Sequence, residues 1–144
     1  MKGLLIFQTT VSPLLIPNSG KLGIVVKSFN RSAITVFGTE AFLEWVKDTH
    51  PNLHRWTLAE LNHHPNVYLV EMEDQNCWGN CFEKYFLEIF KNEVGRFIHN
   101  GANWPEDITP SLFRRWFRYD YHEDVIDLSL EILEVYDDAS DTDT

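Results

Sequence analysis

Long apolar runs are missing from this 144-residue chain. A helix that crosses a membrane needs roughly eighteen or more consecutive apolar residues, and no stretch approaches that length. The opening Met1-Lys2-Gly3-Leu4-Leu5-Ile6-Phe7 has the look of an export signal, but its apolar stretch stops at Gln8. An export signal needs a longer core and a small-residue cleavage site. Cysteine is scarce as well: Cys77 and Cys81 are the only two, where a secreted scaffold stapled by disulfides uses more. These absences point to a cytoplasmic protein with no membrane partner.

Acidic residues are absent from positions 1–39, which carry Lys2, Lys21, Lys27 and Arg31. The imbalance then reverses. The whole chain has 22 acidic against 12 basic residues and a net charge of −10. Such a surface repels a phosphate backbone, so nucleic acid is not an expected partner. The motifs of common chemistries are also missing. There is no Gly-x-Ser-x-Gly, no Gly-x-Gly-x-x-Gly, no phosphate-binding Walker loop and no His-Glu-x-x-His. No cofactor is expected on this basis.

What is present is apolar bulk. Apolar residues make up 44% of the chain, and the aromatics are ten Phe, five Tyr and five Trp. That is enough for a real core built from large rings, and it excludes disorder throughout. The expected organisation is one domain over residues 1–137, followed by an acidic, apolar-poor tail over 138–144 that is expected to be disordered.

Local patterns then suggest elements. Residues 2–7 read as a short strand, followed by breakers at Pro13 and Pro17-Asn18-Ser19-Gly20. Residues 23–29 and 33–37 are rich in β-branched side chains and read as an antiparallel hairpin turning at Asn30-Arg31-Ser32. After Thr39, Phe42, Trp45 and Val46 recur at helical spacing, and His50-Pro51 stops that helix. Thr57-Leu58-Ala59-Glu60 has the spacing of a capping box. Val67-Tyr68-Leu69-Val70 is almost continuously apolar and reads as a central strand buried on both faces.

The longest helix is expected from Cys77 or Asn80 to His99, with Asn100-Gly101 as its C-cap. Its apolar stripe comprises Phe82, Tyr85, Phe86, Ile89, Phe90, Val94, Phe97 and Ile98. Thr109-Pro110 opens another helix. Residues 117–122 alternate as a strand. Residues 126–132 fit a strand better than a helix, although Val125, Leu128, Ile132 and Val135 also have helical spacing. Together these give an α+β fold, a mixed or antiparallel sheet with three to four helices packed mainly on one face.

Candidate sites are incomplete. Cys77 and Cys81 share a face if helical, and supply two of the four ligands a structural zinc needs. Glu71 and Glu73 lie two apart on one sheet face and with Asp74 offer oxygens to a divalent cation. His63 and His64, at a helix-to-strand junction, and the separate His122 are acid–base candidates. Arg114 and Arg118 share a helix face if the helix runs that far, and then clasp a carboxylate or phosphate. Trp104, in the loop Gly101-Ala102-Asn103-Trp104-Pro105, is the leading anchor for a partner. Two functions follow as expectations. One is a non-catalytic protein-interaction or regulatory domain that binds another protein or itself, as a homodimer. The alternative is a small hydrolase or transferase that holds an anionic ligand with Arg114 and Arg118 and uses a histidine for acid–base work.

Overall fold

The computed structural model describes residues 26–71, 78–99 and 103–137, with the backbone alone at Leu4–Leu5 and at 78–80. Residues group into two units, 31–123 and the combination of 1–30 with 124–144. The protein is α+β, as its sequence pattern implies.

The unit of residues 31–123 is built on three antiparallel strands, β3 (Arg31–Gly38), β4 (Val67–Glu71) and β5 (Phe117–His122), in the order β4-β3-β5. Register sets Ile34 between Tyr68 and Tyr121, and Val36 beside Tyr119. Side chains alternate across a strand, so Ser32, Ile34, Val36, Tyr68, Val70, Phe117 and Tyr119 share one face. Helices α1 (Glu40–Thr49), α2 (Leu58–Leu61), α3 (Trp78–Gly95) and α4 (Pro110–Trp116) supply the rest of the core on that side. The core is aromatic. Phe42 lies 4.7 Å from Phe117 and 5.5 Å from Trp116, and Phe90 stacks on Trp116 at 5.4 Å between ring centroids. Each large side chain taken out of water contributes about 1.5–3 kcal/mol.

Local signals place the helix starts. Thr57 and Glu60 form the full capping box, each side chain bonded to the other's backbone. Thr109 Oγ1 accepts from the Leu112 amide, with Pro110 in the first turn. Thr39, at the N-cap position of α1, behaves differently. Its side chain makes no cap bond and instead reaches the carbonyls of Arg115 and Trp116, tying the start of α1 to the end of α4. At Gly38 the backbone is clamped by Asn62, whose amide accepts from Gly38 N at 2.7 Å and donates to Gly38 O at 2.9 Å. A Cβ at Gly38 would meet Leu61 Cδ2 at 2.6 Å and Phe42 Cδ1 at 2.9 Å. Any side chain at this position would require Leu61 and Phe42 to shift.

Three strand expectations need correction. Of the expected hairpin of residues 23–29 with 33–37, residues 23–25 lie outside the described residues, and the described remainder does not pair with β3, which pairs with β4 and β5. Strand β2 (Lys27–Ser28) pairs instead with β6 (Ile126–Asp127). Strand β4 is an edge strand, not a central one, and its outward Val67 and Leu69 are 59% and 54% exposed. The 126–132 segment is strand only at β6, and Leu128, Leu130 and Ile132 stand in solvent.

The other unit contains β2 with β6, and β1 (Leu4–Leu5) with β7 (Val135–Tyr136). The turn at residues 17–20, the C-cap at 100–101 and the tail at 138–144 lie outside the described residues. Among the described residues no helix is long and apolar enough to cross a membrane.

Candidate functional site

Helix α3 carries one carboxylate inside its apolar stripe. Glu93 follows Phe90 by one turn and precedes Val94, so helical geometry aims it at the sheet, and it is only 3% exposed. A buried charge must be bonded to persist, and Glu93 is. Tyr68 Oη on β4 donates to its Oε1 at 2.5 Å, and Asn66 Nδ2 donates to the same oxygen at 2.9 Å. Arg96, one turn further along, donates to Oε2 at 3.3 Å. Asn92 Nδ2 donates to Tyr68 Oη at 2.7 Å. Burial pushes the Tyr68 phenol well above the ordinary tyrosine range, the Asn92 amide opposes this, and the Glu93 carboxylate adds to it. A phenol held so far above neutrality is a poor acid–base group near pH 7. The cluster binds α3 to the edge strand, and its groups are committed to one another.

The sequence-derived candidates are placed as follows. His63 and His64 are exposed in the turn after α2, their rings 4.3 Å apart. Arg96 reaches the His64 carbonyl at 3.0 Å, so this junction touches the Glu93 cluster through backbone. His122, exposed at the end of β5, has Nε2 3.0 Å from Thr35 Oγ1. Helix α4 ends at Trp116, so Arg114 and Arg118 belong to different elements and have no common helix face. The Arg114 guanidinium lies 4.6 Å from the Phe82 ring, on the helical side of the sheet. Arg118 lies 4.5 Å from the Phe37 ring on the opposite face and 3.5 Å from Asp120. The two cations are therefore not brought together.

Trp104 is half-buried against the core, and its Nε1 donates to the Ile98 carbonyl at 3.1 Å. Trp56 packs edge-on against Phe97. Cys81 is buried in the core, while Cys77 lies outside the described residues. Glu71 is bonded by Lys84 and Tyr85, and the Lys84 ammonium holds its carboxyl below the usual range. Glu73 and Asp74 lie outside the described residues. Among the described residues no three His, Cys, Asp or Glu side chains gather closely enough to hold a metal ion.

The feature that sequence reading missed is in the other unit. Residues 126–136 expose Ile126, Leu128, Leu130, Ile132 and Tyr136 at 55%, 80%, 96%, 75% and 69%. Between them stand Asp127, Glu131 and Glu134. Along this ridge runs an open groove of about 670 Å3, lined by those acids with Leu130, Ile132, Leu133 and Tyr136. The alternation of residues 126–132 was visible in the sequence, but alternation alone does not say whether the apolar side meets a core. No protein-family model, curated protein or solved structure matches the chain.

Proposed function

We propose that the chain is a non-catalytic protein-interaction domain acting in the cytoplasm, and that residues 126–136 are its contact surface. The exposed ridge of Ile126, Leu128, Leu130, Ile132 and Tyr136 carries this reading. Isolated exposed apolar residues are ordinary, whereas a contiguous group rimmed by polar residues marks an interaction surface. The ridge takes over the anchoring role first given to Trp104, whose indole is engaged inside its own unit. Self-association through the same ridge is a variant of this reading.

The test is a photo-crosslinking side chain placed at Leu130 in the cell, beside a control at exposed Arg114. Discrete adducts from position 130 alone, lost on Leu128→Ser with Ile132→Ser, are expected. Equal labelling from both positions would sink the proposal.

The hydrolase or transferase reading draws on one observation. Arg118, Asp120 and His122 follow at two-residue spacing along β5, with Thr35 beside His122. All three side chains are exposed, and an exposed site does not exclude water from an anion. Phosphate titration followed by NMR separates the readings. Shifts confined to His122 and Arg118 would favour the enzyme.

A further inference from the structure

We infer that the 126–136 ridge receives a basic segment of a partner protein, with an arginine or lysine side chain entering its groove. This names the partner chemistry of the interaction surface above and rests on that reading. Among the described residues, every charged side chain lining the groove is acidic, namely Asp127, Glu131 and Glu134. No lysine or arginine occurs anywhere in residues 124–144. The walls are Leu130, Ile132, Leu133 and Tyr136. That combination suits a long cationic side chain, whose methylenes lie on apolar walls while its head meets carboxylates.

The other occupants fit less well. An uncharged apolar segment would desolvate three carboxylates and bring no cation to them, since the Ser129 amide at Asp127 and the Tyr136 hydroxyl at Glu134 are neutral donors, a costly arrangement. A second copy docking ridge to ridge about a two-fold axis would set those acids against their equivalents. The basic segment alone satisfies both the apolar side chains and the charge.

The loop is also shaped in advance. Asp127 Oδ1 accepts from the Ser129 amide at 2.8 Å, and Ser129 Oγ accepts from the Glu131 amide at 3.0 Å. Lys27 Nζ donates to the Ser129 carbonyl at 2.9 Å. These bonds fix the backbone between Leu128 and Glu131, so less ordering remains to be done on binding.

Three short fluorescent peptides test the inference, with leucine alternating against arginine, serine or glutamate. Anisotropy is read with the full-length protein, with Glu131→Lys/Glu134→Lys and with Leu130→Ser/Ile132→Ser. The arginine peptide should bind at least about tenfold more tightly than the serine peptide, and weaken as salt rises. Charge reversal should transfer the preference to the glutamate peptide, a gain that an unfolded variant cannot produce. The leucine and isoleucine changes should weaken the arginine peptide at unchanged unfolding midpoint. If the serine peptide binds equally well and charge reversal has no effect, the interaction surface stands and the basic partner is wrong. If no peptide binds but sedimentation shows a dimer that Leu130→Ser/Ile132→Ser abolishes, a second copy is the occupant and the basic partner is again wrong. If no peptide binds and the protein is a monomer, both readings fall.

Discussion

Glu93 shows how much a single residue can decide. Its two oxygens take three donors from two stretches of the chain, so removing any donor leaves buried acceptor capacity unmet. Tyr68→Phe deletes one donor while preserving the ring, and is expected to cost about 1–3 kcal/mol in denaturant unfolding. The same substitution changes the response to alkali. Because the phenol holds its proton more tightly folded than unfolded, its contribution is complete below the ordinary tyrosine value of about 10 and declines as pH rises beyond it. The Tyr68→Phe protein should therefore lose less stability between neutral pH and strong alkali than the parent. Equal loss in both would remove Tyr68 from the account. Gly38 is the second such residue. Gly38→Ala drives a methyl into Leu61 and Phe42, and overpacking of this kind costs about 1–3 kcal/mol. A neutral result in thermal unfolding would mean that Leu61 yields freely.

At the scale of elements, starts and stops obey local chemistry. Thr109→Ala removes the bond to the Leu112 amide and should destabilise the protein by about 0.5–2 kcal/mol, measured by the unfolding midpoint. Thr109 with Pro110, and Thr57 with Glu60, were legible in the sequence because the residues that bond are three apart. The stripe of α3 was legible for the same reason as far as Val94, but the helix stops at Gly95 and not at His99, so Phe97 and Ile98 follow it. Strand partners were not. Residues 27–28 and 31–38 are neighbours in sequence, yet β2 takes β6 and β3 takes β4 and β5. Nothing within a few residues of either strand encodes that choice. Val67-Tyr68-Leu69-Val70 misled because a continuous apolar run does not distinguish an edge strand with Val67 and Leu69 exposed from one covered on both sides. Such a run also specifies register weakly. The Tyr68–Glu93 bond supplies what the pattern lacks, since a slip of one residue would turn the phenol outward. Of the candidate sites, the histidine junction and the arginines were legible as residue types. Their separation on opposite faces depended on α4 ending at Trp116.

For the whole molecule, net charge governs association. With −10 at neutrality and an isoelectric point near 4.9, copies repel one another until the carboxylates are protonated. Light scattering should show a monomer at pH 8 and growing association near pH 5. Leu128→Ser/Leu130→Ser/Ile132→Ser should suppress that growth; if it does not, the sticking surface lies elsewhere. The pairing of early with late chain segments also sets an order of birth. Lys27 and Ser129 are 102 residues apart, and β1 meets its partner only at Val135–Tyr136. Residues 31–123 leave the ribosome with all three of their strands to hand and can close early. Strands β1 and β2 are made before residues 31–123 and paired only after them, so both wait unpaired through most of that synthesis until β6 and β7 emerge.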